Sequence, residues 1–131
     1  MIRRMALAGT ALAAAVMTAG AGLAFLLAAP ASAHHGWGGY DSTKVLTLDG
    51  AIEQAGYENP HGELKLKITQ PDAKTWTVTL SPPYRMQSRG LPAADLKPGT
   101  TVTVVGYPSK TNPSEMRAER ITVDGKTVEL R

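Results

Sequence analysis

Histidine is scarce in this sequence, and two of its three copies are adjacent. They are His34, His35 and His61, and the pair directly follows the small residues 31–33, Ala-Ser-Ala, at the end of a long apolar stretch. Small residues at such a place are typical of a signal-peptidase site. Cleavage after Ala33 makes His34 the first residue of the exported chain, so the sequence raises the question of a metal site there.

An N-terminal histidine is a chelator in its own right. Its α-amine has an ordinary pKa of about 7.7–8.0, so losing the proton costs little near neutral pH. The amine and Nδ1 of the same residue bind one ion together, and a nitrogen from another histidine completes the T-shaped set called a histidine brace. Nitrogen-rich tetragonal geometry favours copper. Zinc is the less favoured alternative, because it prefers a closed tetrahedral ligand set.

His61 is the expected third ligand, since it follows the rigid Asn59-Pro60 pair at a predicted strand end. His35 offers a competing mode, in which the amine, a deprotonated amide nitrogen and its own imidazole bind the ion without help from the fold. The opposite interpretation is that the histidines bind no metal. Supporting roles fall to nearby oxygen donors and to the two methionines after residue 33, whose alternative is core packing: these residues are Asp41, Glu58, Asn59, Met86 and Met116.

Residues 1–33 are interpreted as a secretory signal peptide. Arg3 and Arg4 form its charged head, residues 6–29 its apolar stretch, and Pro30 precedes the small residues. The apolar stretch is also long enough for an uncleaved membrane anchor, which is the alternative. Cleavage predicts a periplasmic or secreted protein with no remaining membrane attachment.

Charge and cysteine content exclude several classes of function. The chain has 14 basic and 11 acidic residues, and loss of Arg3 and Arg4 leaves twelve against eleven, without a basic patch that indicates nucleic acid binding. There is no cysteine, so thiolate metal sites and thiol redox chemistry are excluded. No serine–histidine–aspartate or paired-carboxylate pattern is recognisable, so an enzyme, such as a copper oxidase, is not the favoured class.

Most of the remaining chain is predicted to form β-strands. Residues 34–43 form a Gly-rich arm, expected to be flexible unless Trp37 and Tyr40 pin it, and residues 44–131 form the folded domain. Apolar and polar residues alternate in five or six segments, and Asp124-Gly125 predicts a final hairpin. With one helical turn expected around residues 84–89, the pattern predicts an all-β, five- to six-stranded OB-like Greek-key barrel. An open sandwich is the alternative.

Short motifs in a fixed order resemble a family of small exported bacterial proteins of unknown function. They are His34-His35, Asn59-Pro60-His61, Trp76 with Val78, Ser81-Pro82, Arg89-Gly90-Leu91, the segment 96–99, the segment 102–108 and Asp124-Gly125. The resemblance implies a secreted β-barrel-like domain and points to the same three histidines, but it implies no activity. The sequence departs from the family pattern at Gly36, Tyr57 and Thr79, where serine, tryptophan and an acidic residue are usual.

Two functions follow as expectations. The first is a periplasmic copper carrier or buffer that uses His34, His35 and His61 and works with a metal-delivery partner protein. The second is a non-metal OB-type binding module for a small ligand, a glycan or a partner protein.

Overall fold

The computed structural model describes residues 36–131, so the predicted signal peptide and the leading pair His34 and His35 lie outside the described residues. Six strands are present: β1 Leu46–Gly56, β2 Glu63–Ile68, β3 Lys74–Thr79, β4 Thr101–Pro108, β5 Glu115–Val123 and β6 Lys126–Glu129. Between β3 and β4 lie a short helix, α1 (Pro83–Ser88), and a single 3-10 turn, Ala93–Asp95.

The strands form one sheet in the order β3-β2-β1-β4-β5-β6, which closes because β3 also pairs with β5. The closing pair is parallel, and all other neighbours are antiparallel. Strands β1–β5 therefore form a closed mixed barrel, with β6 as an extra strand on β5. The predicted all-β OB-like barrel, with its helical turn between the third and fourth strands, is confirmed, and the open sandwich is excluded.

Alternating side chains explain why the strands close around one core. In β2, Leu64, Leu66 and Ile68 are buried in the core cluster, while Lys65 and Lys67 point outward. The same alternation supplies core residues from every strand, since successive side chains of a strand point to opposite faces. The core of the described domain is a single apolar cluster inside the barrel.

Strand β1 pairs with two neighbouring strands because it bends near its middle. Its first half pairs with β4 and its second half with β2, and the register shifts between Ile52 and Gln54. A Cβ at Gly50 would lie 2.5 Å from the carbonyl oxygen of Lys67, so only glycine permits this close approach of β1 and β2.

The predicted turns also appear. Asp124 and Gly125 join β5 and β6 with positive φ values of 49° and 74°, the conformation that this dipeptide favours in hairpins. Helix α1 begins at Pro83, the second of two adjacent prolines, and ends at Ser88, two residues before Gly90, whose φ is 84°. Over residues 36–131, no helix has the length and apolarity needed to cross a membrane.

Candidate functional site

The described part of the N-terminal arm is packed against the barrel. Tyr40 forms a β-bridge with Ser109, and the Asp41 amide donates to the carbonyl oxygen of Pro108 at 2.9 Å. Lys110 holds the preceding glycines twice, through its amide to Gly39 O (2.9 Å) and its ammonium group to Gly38 O (3.0 Å). These bonds place the arm beside the end of β4, at the loop that leads into β5.

Tyr40 holds the arm across the β3–β5 pair, which closes the barrel and which we call the seam. Its ring is 5 % exposed, and its hydroxyl is hydrogen-bonded to Thr79 Oγ1 of β3 (3.2 Å) and to Glu115 Oε1 of β5 (3.0 Å). Burial is the main cause that raises the pKa of Tyr40 above its ordinary value of 10.0, and the neighbouring Glu115 carboxylate adds to the effect. One phenol therefore joins the arm and the two strands of the seam.

Trp37, three residues before Tyr40 in the arm, lies against two arginine side chains. Its ring centroid is 4.5 Å from Arg117 Cζ and 4.6 Å from Arg131 Cζ, and its ring meets Tyr107 edge-on at 5.9 Å. Guanidinium groups at this distance from an indole ring are attracted by its quadrupole. Next to it, Arg117 Nη1 donates to the carbonyl oxygen of Gly36 at 3.0 Å, which fixes the first described residue of the arm.

Arg117 is buried although it lies on the outer face of β5. Its strand neighbours Met116 and Ala118 point into the core, so its own side chain points outward, where the arm covers it to 7 % exposure. Burial is the main cause that lowers the pKa of Arg117, and the positive charges of Arg85 and Arg131 lower it further.

His61 faces outward near the same end of the barrel. It precedes Gly62, which exchanges backbone hydrogen bonds with Leu80 and Ser81 at 2.8 and 3.0 Å. A Cβ at Gly62 would meet Met86 in the core at 2.8 Å, so the alternation of the strand turns His61 to the outer face.

The His61 ring is hydrogen-bonded through Nδ1. Its Nδ1 lies 3.1 Å from the carbonyl oxygen of Gly62, and a carbonyl can only accept a hydrogen bond. In the neutral ring the proton is therefore on Nδ1 and the lone pair on Nε2. A metal ligand held through its other ring nitrogen by a main-chain carbonyl is a common arrangement.

The predicted supporting oxygen donors lie in two places. Glu58 and Asn59 are exposed in the loop that carries His61. Asp41 is on the arm, where its carboxylate accepts hydrogen bonds from the Thr43 amide (3.0 Å) and hydroxyl (2.5 Å), which lower the pKa of the Asp41 carboxyl.

Both predicted methionines lie in the core. Met86 and Met116 are each 0 % exposed, and both belong to the core cluster. This is the core-filling position that the sequence left open as the alternative to a ligand.

Within residues 36–131, no group of three histidine or carboxylate side chains is placed to hold a metal ion. The structure thus brings His61 to the outer face at the end of the barrel where Arg117 lies, whereas the positions of His34 and His35 relative to it lie outside the described residues. A separate cleft of about 330 Å³ opens between the arm and the loop after β4, lined mainly by Tyr40, Ser109, Lys110 and Glu115.

Sequence reasoning missed the arginines. Arg117 and Arg131 are far from Trp37 in the sequence, and only the closed barrel brings them to its ring. The one local signal is Arg117 itself, which stands outward between two inward residues of a strand; such a residue is ordinarily solvated, and its burial depends on the arm.

Comparison with known proteins gives a family but no activity. A search of curated protein sequences returns no match. Among solved structures, the chain is similar to one described as the TiaS–tRNA(Ile2)–ATP complex, with 17 % sequence identity and a TM-score of 0.46. The match covers 70 % of this chain but 20 % of that one, and it bears on no functional question. A family described as a family of unknown function (DUF6152) matches residues 23–117, a range that includes all three histidines. The chain therefore belongs to the DUF6152 family.

Proposed function

We propose that this protein is an exported copper-binding protein, a carrier or buffer in the periplasm or outside the cell. Its ligands are the α-amine and imidazole of His34, freed by cleavage after Ala33, and Nε2 of His61, with His35 as the alternative ligand. A metal-delivery protein is the expected partner.

The observation that carries the proposal is the anchoring of Gly36 to Arg117. The arm enters the described structure at a fixed point on the outer face, two residues after His34. Two residues span at most about 7 Å. The covalent chain therefore limits the distance between the Cα atoms of His34 and Gly36 to about 7 Å.

The register of the sheet supports the reach to His61. Glu63, Thr79 and Arg117 are aligned across β2, β3 and β5, and His61 is two residues beyond Glu63. Two strand spacings and two residues along the strand put the Cα atoms of His61 and Arg117 about 12 Å apart. The two leading residues and the imidazole side chains at both ends can bridge such a gap.

The direction of the arm agrees with this. Tyr40 contacts β5 at Glu115, while Trp37 and Gly36 contact it at Arg117, so the arm advances toward the end of the barrel where His61 lies. The hydrogen bond between His61 Nδ1 and Gly62 O also restricts the orientation of the His61 ring before a metal ion binds.

The test is a titration of the exported protein with Cu(II) against a competing chelator. Mass spectrometry must first show a chain that begins at His34. We expect His61→Ala to weaken copper binding at least tenfold. The electron paramagnetic resonance spectrum of bound copper should also lose the coupling to one nitrogen ligand. Glu63→Ala, on the same outer face, is the matched control and leaves affinity within twofold.

The outcome also separates the two coordination modes. If His61→Ala binds copper as tightly as the parent while His35→Ala does not, the ion sits in the local chelate of the first two residues. In that case the folded site is rejected. In either mode affinity falls as pH is lowered, because protons compete for the amine and the imidazoles.

The second candidate is the non-metal binding module. The cleft between the arm and the loop after β4 favours it, since a volume of about 330 Å³ accommodates a small polar molecule between Lys110 and Glu115. A protein that binds no copper, and whose thermal stability is unchanged by chelator, leaves this candidate in place.

A further inference from the structure

Two guanidinium groups lie against the Trp37 ring on the outer face, and a third is close enough to act on one of them through its charge. Arg117 comes from β5, Arg131 follows β6, and Arg85 is on α1; we call these three residues the arginine cluster. The first two have Cζ atoms within 4.6 Å of the Trp37 ring centroid. Arg85 is close enough to Arg117 for the two charges to act on each other.

The charge of the cluster is poorly balanced by the described residues. Over residues 36–131, neither Arg85 nor Arg117 has a carboxylate within 4 Å. Arg131 lies 3.8 Å from Glu119 Oε1, but the other oxygen of that carboxylate is 4.0 Å from Arg120 and accepts a hydrogen bond from Tyr107. Three positive charges thus share part of one carboxylate.

Arg117 makes the imbalance costly. A buried charge that lacks a counter-ion is strongly unfavourable. Anchoring of the arm accounts for one of its five N–H donors, through Gly36 O, and for one face, through Trp37. Neither contact neutralises the charge, and neither explains why Arg131 is placed against the same ring.

A ligand with several negative oxygens satisfies all of these features. Planar guanidinium forks bind carboxylates and phosphates through paired hydrogen bonds. We propose that the arginine cluster is a binding site for a small oxyanion, either a tetrahedral phosphate-type group or a carboxylate, held by Arg117 and Arg131 beside the Trp37 ring. This site uses no histidine, so metal-free protein tests it separately from the copper proposal.

The test uses metal-free exported protein labelled with ¹⁵N, titrated separately with inorganic phosphate and with citrate at constant ionic strength. We expect the Trp37 indole N–H signal to move with a saturable 1:1 curve in at least one titration. The Trp76 indole, on the opposite face of its sheet, stays in place. Which probe saturates identifies the tetrahedral or the carboxylate source.

The decisive variant is Arg131→Gln, because the hydrogen bond that anchors Gly36 comes from Arg117 and stays intact. It should weaken binding at least tenfold, whereas Lys67→Gln, which removes an exposed positive charge from β2, should change it less than twofold. The proposal is overturned if neither probe gives a saturable shift, if sodium chloride reproduces the shift, or if the two variants behave alike.

Discussion

Gly106 shows how one residue sets the approach of two strands. It lies in β4 where the register with β5 shifts, and a Cβ there would overlap the carbonyl group of Arg117. Backbone atoms cannot move aside as the end of a flexible side chain can. We expect Gly106→Ala to lower the free energy of unfolding by about 2–3 kcal/mol, since overpacking at such a position forces the strands apart.

Urea denaturation of the parent and the variant, fitted with one common slope of unfolding free energy against urea concentration, measures this loss. Gly56→Ala is the matched control, because Gly56 is also in a strand but its Cβ would meet Glu63 O at an ordinary 3.8 Å. If both substitutions cost the same, the loss does not depend on the distance from the added Cβ to the neighbouring strand, and the close approach is not its cause.

At the same scale, the sequence predicted the place of His61 better than the burial of Arg117. The position of His61 at a strand start follows from local signals, namely the break at Asn59-Pro60 and the alternation that begins at Leu64. The burial of Arg117 does not, because it depends on an arm more than seventy residues earlier in the chain.

The arm is the element whose behaviour the sequence left conditional. Three glycines in residues 36–39 favour freedom, and the aromatic residues oppose it; which effect wins depends on partners that no local pattern reveals. The partners of Tyr40 come from β3 and β5, which meet only when the barrel closes. The strands themselves were predictable because burial on one face imposes a period of two.

Tyr40→Phe tests the contribution of this element. It removes the bonds to Thr79 and Glu115 but keeps the ring, so we expect a loss of about 1–2 kcal/mol of unfolding free energy near neutral pH. Since the folded state raises the pKa of Tyr40, the unfolded chain ionises first as the pH passes about 10, and the stability from Tyr40 declines from there upward. The difference between parent and variant should therefore narrow above pH 10.

Denaturation curves from pH 7 to pH 11 check both parts of this prediction. Tyr84→Phe serves as control, because the Tyr84 side chain is 65 % exposed and its substitution should cost less than about 0.5 kcal/mol. A Tyr40→Phe variant as stable as the parent at neutral pH would show that the hydroxyl does not hold the arm.

The whole molecule has one seam that differs from the others. Strands β3 and β5 are parallel and share three register pairs, whereas β1 and β4 are antiparallel and share six. The sequence indicated a closed barrel through the number and order of its strands, but the closing pair could not be read from it, because pairing between distant strands leaves no local pattern. Tyr40 spans this seam, and the Arg117 side chain on its outer face is the anchor for the arm.

This asymmetry predicts where the barrel opens first. The Thr77 amide donates to Ser114 O across the β3–β5 seam at 2.8 Å, and the buried Ile52 amide donates to Thr100 O beside β4 at 2.9 Å. Opening a short seam breaks fewer bonds than separating β1 from β4, so it requires less free energy. In native-state hydrogen exchange, Thr77 should show a smaller opening free energy and a weaker urea dependence than Ile52. Tyr40→Phe should lower the opening free energy at Thr77 further, because the variant lacks the hydroxyl that bonds to both strands. Equal opening free energies and equal urea dependence at the two amides would mean that the barrel opens only by global unfolding, and that the arm stabilises the fold as a whole and not the seam.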